Sequence, residues 1–214
     1  MTDKVQICGL SRTELVELVT GLGEPKYRAD QVFRAVHEQR LRTFDEITNL
    51  PKAFRTKLAE VADISTLTVE ERYVSIDGTR RYLMKTEGEH PVETVFIPTE
   101  GRDTICFSSQ SGCALKCDFC LTAKLGFLSN LSPGEIVEQI IIVLNDVYGI
   151  GVETPHGTNL VGMGAGEPFL NFDNLIAALG LMSDEKGLHI VPNRVTVSTA
   201  GIRSGEHTSE LQSH

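Results

Sequence analysis

Four of the chain's five cysteines fall within the fifteen residues Cys106-Phe-Ser-Ser-Gln-Ser-Gly-Cys113-Ala-Leu-Lys-Cys117-Asp-Phe-Cys120. Thiolates this close converge on a metal or a cluster rather than forming a disulfide framework. The spacing Cys-x3-Cys-x2-Cys supplies three ligands from one short loop, one fewer than closes a structural zinc site. A cluster held by three thiolates keeps one iron open to bind and reduce a substrate or cosubstrate. Two other readings stand beside it: a zinc knuckle borrowing a histidine from elsewhere, or thiols buried as small apolar groups. The triplet differs from the paired Cys-x2-Cys of common zinc sites, which favours the cluster. Cys106 lies seven residues before the first ligand and is not explained by the triplet. Cys8 has no assigned role, and His37, His90, His156 and His189 lack metal-like spacing and read as surface or loop residues.

The triplet, with Phe119 just before its last cysteine, resembles the signature of the radical S-adenosylmethionine superfamily. Within it, Val92-Glu-Thr-Val-Phe-Ile-Pro98, the Ser-Ser-Gln-Ser-Gly-Cys run, Cys-Asp-Phe-Cys-Leu-Thr-Ala and Met163-Gly-Ala-Gly-Glu-Pro168 resemble the RlmN-type adenine-C2 methyltransferases of rRNA and tRNA, over about Leu10 to Ile202. The resemblance implies a 4Fe-4S cluster on Cys113, Cys117 and Cys120, whose open iron takes the amino and carboxylate groups of S-adenosyl-L-methionine. It implies cosubstrate contacts from Gly166, Glu167 and Ser198, although Ala165 stands where the family most often has Met. It also gives Cys106 a catalytic role beside a second, methyl-accepting cysteine near the family's C terminus. There Cys106 resolves the protein–RNA adduct by helping deprotonation and forming a disulfide. Adenine C2 is electron-poor and its C–H bond too weakly acidic for ordinary methyl transfer from a sulfonium, which is why a radical route is needed. Glu93 matches a family glutamate near the substrate adenine, where it orients the base or relays a proton. The implied partners are rRNA and tRNA substrates and an electron donor such as a flavodoxin, with the protein acting as a monomer. An adenine-C8 methyltransferase of the same superfamily shares nearly all these motifs, and a non-catalytic iron–sulfur or zinc RNA-binding module is the reading from another class.

Those residues need a scaffold, and the periodicity of the 214-residue chain describes an α/β one. No apolar run is long enough to span a bilayer. The start Met1-Thr-Asp-Lys shows no signal peptide, so a reducing, cytoplasmic setting is expected. The net charge of −9 is awkward for an RNA-binding protein. It is uneven: residues 1–62 carry ten Lys and Arg against nine Asp and Glu, and residues 63–214 carry ten against twenty. Arg40, Arg42, Arg55 and Lys57 therefore stand as a patch to face a polyanion, or equally as a solvated helix face.

Residues 1–64 are predicted to form a helical accessory domain, which in the resembling family helps to hold RNA. Ser11-Arg-Thr-Glu14 is a capping box, a second helix runs from about Lys26 to Gln39, and a third begins near Pro51. Residues 65–98 read as a β-hairpin, Thr68–Ile76 and Thr79–Lys85 about a turn at Asp77-Gly78, followed by a strand over Val92–Pro98. Residues 99–202 read as three βα units opening a radical SAM partial barrel. Their strands span Thr104–Ser109, Asn159–Met163 and Asn193–Ser198, and their helices start at the capping box Ser132-Pro-Gly-Glu135 and at Asp173. Residues 203–214 are polar, aperiodic and unlike the family. They read as a non-family tail, and the chain as a fragment that cannot methylate RNA alone.

Overall fold

A computed structural model of the chain describes residues 4–155 and 157–202; His156 and the predicted tail at 203–214 lie outside the described residues. Its elements in chain order begin with a short strand β1 (Val5–Gln6), helices α1 (Arg12–Gly21), α2 (Tyr27–His37) and α3 (Lys52–Val61), and β2 (Ala62–Asp63). Strands β3 (Thr68–Val74), β4 (Arg80–Lys85), β5 (Pro91–Thr99), β6 (Arg102–Cys106) and β7 (Gln110–Gly112) follow. Then come α4 (Leu121–Leu125), β8 (Phe127–Asn130), α5 (Pro133–Tyr148), β9 (Thr158–Gly162), α6 (Phe172–Ser183) and β10 (Val195–Val197).

Both predicted capping boxes are present. The Ser11 hydroxyl accepts the Glu14 amide while the Glu14 carboxylate accepts the Ser11 amide, and Ser132 and Glu135 do the same for α5. A third box, Thr43 with Glu46, caps a short 3-10 turn that periodicity could not resolve. Pro51 is the N-cap of α3 rather than its first helical residue. In the hairpin loop only Gly78 takes a positive φ, of 85°. The loop is three residues long, Ile76 to Gly78, closed by the Ser75 amide on the Thr79 carbonyl at 2.8 Å, with Asp77 accepting the Thr79 amide. That is a wider turn than the two-residue one expected from Asp-Gly.

The hairpin and the parallel strands form one sheet, in the order β10-β9-β6-β5-β4-β3. Strand β6 is the junction. It pairs antiparallel with β5 through the two-residue turn Glu100-Gly101 and parallel with β9, which pairs parallel with β10. The predicted first barrel strand is shorter than expected, ending at Cys106, and the last begins at Val195 because Pro192–Arg194 turns as a 3-10 helix. Beyond Cys106 the chain enters a separate two-stranded ribbon, β7 with β8.

Residues alternate across β5. Val92, Thr94 and Phe96 are buried, while Glu93 and Ile97 are exposed. The buried face meets α5, whose residues from Gly134 to Leu144 are nearly all buried except Glu135, because the sheet covers one side and the N-terminal helices the other. Glycine permits this sandwich: a Cβ on Gly134 would fall 2.4 Å from the Gln6 side chain, and one on Gly9 would fall 2.9 Å from the Gly134 amide nitrogen. One hydrophobic core runs from Leu15, Phe33 and Phe54 through Ile136 and Ile140 to Ile105 and Leu160.

The polar joint between the helices and α5 corrects the reading of the basic patch. Arg42 is ion-paired to the buried Glu138 at 2.7 Å, and Arg40, 5% exposed, donates to the Gly149 and Val152 carbonyls. Arg55 donates to the Asp45 carbonyl and Lys57 lies 3.7 Å from Glu24. Arg40, Arg42 and Arg55 are engaged within the protein, whereas Lys57 stays exposed on α3, as the solvated-face reading has it. His37 also differs from its expected surface position: it closes α2 fully buried, with its ring on Phe33 at 4.4 Å.

Candidate functional site

The register brings Cys106 and Glu93 to the same face of the sheet. Cys106 pairs with Val95 on β5 and with Val161 on β9, and Val161 pairs with Thr196 on β10. Alternation therefore sets Glu93, Val95, Cys106, Val161 and Thr196 on the face opposite α5, and Ser198 continues that parity just beyond β10. Burial pushes the half-buried Cys106 thiol above its ordinary value, the Met163 amide opposes this, and the negative charge of Glu93 adds to it. Glu93 is itself exposed and 3.6 Å from the Arg81 guanidinium, which lies over the Tyr73 ring.

The three-cysteine loop leaves β7 and returns on β8, with the Cys113 amide donating to the Gly126 carbonyl at 3.0 Å. Gly112 is forced here: its φ is 71°, and a Cβ would lie 1.8 Å from the Gly126 oxygen. Cys113, Cys117 and Cys120 are free, half-buried thiols. The Ala123 amide at the start of α4, helped by Thr122, holds the Cys120 thiol below its ordinary value. Soft, accessible thiols with one already biased to thiolate suit an iron–sulfur cluster chemically. Among the described residues no three His, Cys, Asp or Glu side chains stand in metal-holding geometry. Within the loop the Leu115 amide donates to the Cys113 sulfur and the Cys120 amide to the Cys117 carbonyl. All five cysteines are free, so no disulfide supports the pairing the resemblance gives to Cys106.

Gly166 and Glu167 serve the protein's own packing. Gly166 has φ 102°, and a Cβ there would sit 2.6 Å from Cβ of Gln110. The buried Glu167 carboxylate accepts the Phe169 amide at 3.1 Å, the Ala200 amide at 2.8 Å and the Thr199 hydroxyl, joining the exits of β9 and β10. Ser198 is exposed, its amide on the Gly162 carbonyl at 3.3 Å.

Sequence reasoning passed over the polar residues that hold these pieces together. Gln110 accepts the Glu167 amide at 2.8 Å and donates to Asn130; Asn171 donates to the Ser109 and Leu131 carbonyls, both at 2.8 Å. Gln139 and Ser108 complete the network. The available signal was the polarity of Ser108-Ser-Gln-Ser111 at the end of a buried strand, since buried polar groups are mostly hydrogen-bonded, as the side chains of Ser108, Gln110 and Ser111 are here.

A sheet with parallel strands emptying into a three-cysteine loop on one side and a Gly-Glu-Pro turn on the other has a solved counterpart. The chain superimposes on a radical SAM methyltransferase from Sphaerobacter thermophilus with a TM-score of 0.87 and 34% identity, over 92% of this chain and 57% of that one. The architecture thus matches a radical SAM methyltransferase over somewhat more than half of that protein. Residues 5–64 match the family model described as the ribosomal RNA large subunit methyltransferase N-terminal domain. The chain is 42% identical over 202 residues to the dual-specificity RNA methyltransferase RlmN of Pseudomonas putida (strain W619), covering 94% of itself and 53% of that protein. It is 42% identical over 198 residues to the protein of the same name from Alkalilimnicola ehrlichii, covering 92% and 54%. The chain is a homologue of RlmN and spans about half the length of the curated relatives it matches.

Proposed function

We propose that this chain supplies the accessory domain and the first half of the catalytic core of an enzyme that methylates C2 of adenine in large-subunit rRNA and in the tRNA anticodon loop. The observation that carries the reading is the shared face of Cys106 and Glu93 at the sheet end from which the three-thiol loop departs. Cys113, Cys117 and Cys120 would hold a 4Fe-4S cluster. With S-adenosylmethionine bound, that cluster supplies the one-electron chemistry that an unactivated C2–H demands. Gly166, Glu167 and Ser198 would border the cosubstrate at the exits of β9 and β10.

The protein's own part is proton handling and positioning. Because burial raises the Cys106 thiol, it would first have to give up its own proton before, as a thiolate, it could take one from the adduct. Glu93, exposed beside Arg81, would orient the adenine edge. The base would be presented unstacked, as single-stranded RNA is read. Anaerobic reconstitution of the protein with a C-terminal half like that of its relatives, followed by nucleoside mass spectrometry of rRNA and tRNA, tests this. 2-Methyladenosine supports the reading, and 8-methyladenosine or no product opposes it.

A further inference from the structure

We propose that Gln139 is a positioning residue that holds Cys106 and Glu93 in register by acting as a surrogate strand residue, an inference resting on the functional reading above. The β5–β6 ladder stops at Val95 and Cys106. Continued by one and two steps it would pair Thr94 with Phe107 and Glu93 with Ser108, yet β6 turns away to β9 and β7. The side-chain amide of Gln139, fully buried on α5, fills the gap. Its oxygen accepts the Ser108 amide and the Thr94 hydroxyl, both at 2.8 Å, and its nitrogen donates to the Ser108 carbonyl at 3.0 Å and the Glu135 carbonyl at 3.2 Å. A primary amide is a peptide group on a stalk, so it satisfies both the N–H and the C=O of Ser108 as a neighbouring strand would.

Ser108 completes the strap from the other side. Its hydroxyl donates to the Glu93 carbonyl at 2.6 Å and accepts the Ala165 amide at 2.9 Å, while the Ser109 amide reaches the Ala165 carbonyl at 3.0 Å. A fully paired buried network of this kind fixes one arrangement. Through it α5 sets the ends of β5, β6 and β9, and with them Glu93, Cys106 and the approach to Gly166.

The test is site-resolved alkylation by iodoacetamide at pH 8, read by peptide mass spectrometry on the protein without its cluster. It uses Gln139→Leu and, should that variant not fold, the isosteric Gln139→Glu, which keeps the acceptor oxygen and removes the donation to the Ser108 and Glu135 carbonyls. Cys8, 1% exposed in the core between α5 and the N-terminal helices, is the internal standard for global loosening. The expected result is Cys106 labelling about tenfold faster, the size of a one-unit fall in the pKa of a thiol released from burial, with Cys8 still protected. Unchanged Cys106 labelling in a folded variant, or equal gains at Cys8 and Cys106, would overturn the inference. Because labelling needs neither cluster nor RNA, its failure is separable from failure of the methyltransferase reading, which wild-type product formation decides.

Discussion

Arg42 and Glu138 meet at 2.7 Å where the N-terminal helices join α5, and the Glu138 carboxylate also accepts the Thr66 amide at 2.8 Å and the Leu67 amide at 3.1 Å. Glu138 is 2% exposed. Glu138→Ala removes the acceptor from the Thr66 and Leu67 amides and the counter-charge from Arg42, whose remaining bonds go to Ser65 and the Leu67 carbonyl. Breaking such a buried pair costs about 3–5 kcal/mol, to be read by urea unfolding. Arg42→Ala should cost less, since the two amides keep the carboxylate bonded, and the double variant should lose less than the sum. A loss under about 1 kcal/mol for Glu138→Ala would assign the joint to apolar packing alone.

His37 makes stability depend on pH. Burial pushes its pKa down from 6.5 to about 4, the Asp184 charge opposing, and neither ring nitrogen has a partner. The folded value lies below the unfolded one, so between pH 4 and 6.5 the unfolded chain binds more protons and stability falls as pH falls. From pH 7 to 5 the loss from this group is about 2 kcal/mol. His37→Leu should flatten that part of the profile; an unchanged slope would show that the ring is charged or relieved by water.

Gly166→Ala and Gly180→Ala should have opposite signs. At Gly166 the positive φ costs about 1–3 kcal/mol, and collision with Gln110 adds to it. Gly180 sits exposed on α6 with nothing within 4 Å of a new Cβ, and alanine there should stabilise by about 0.5–1 kcal/mol. Thermal unfolding of both variants checks the pair. A tolerated Gly166→Ala would remove the packing explanation for that glycine.

Iron content separates the cysteines. Cys113→Ala, Cys117→Ala and Cys120→Ala should each abolish iron incorporation on anaerobic reconstitution, whereas Cys106→Ala should retain it, because Cys106 lies on β6 outside the loop. Equal loss in all four would place Cys106 among the ligands.

What the sequence made legible was local. The boxes at Ser11 and Ser132 start their helices, Gly78 turns the hairpin, and apolar alternation places β5 and β9 to within a residue or two. What it hid was non-local. That β6 joins hairpin and parallel strands into one sheet depends on the pairings Val95 with Cys106 and Cys106 with Val161, which no window of periodicity contains. Gln139 sits beside Glu138 at the edge of the apolar run of α5, and its polarity alone does not say which strand it meets. His37 looks solvent-facing at the end of α2, and Arg40 and Arg42 follow it in a polar loop; they become buried or engaged only through partners distant in sequence, among them Asp184, Gly149 and Glu138. Cysteine spacing singled out the loop that runs between β7 and β8, but its path depends on the pairing of those two strands, which spacing does not contain.

The most direct measurement of the central claim supplies the reduced, reconstituted protein, carrying a C-terminal half like that of its relatives, with S-adenosylmethionine and unmethylated large-subunit rRNA. Two products are then quantified by mass spectrometry. The wild type should form 5′-deoxyadenosine and 2-methyladenosine, Cys113→Ala neither, and Cys106→Ala no released 2-methyladenosine although it keeps its iron. 2-Methyladenosine formed by Cys106→Ala at the wild-type rate, or no 5′-deoxyadenosine from the wild type, would contradict the account.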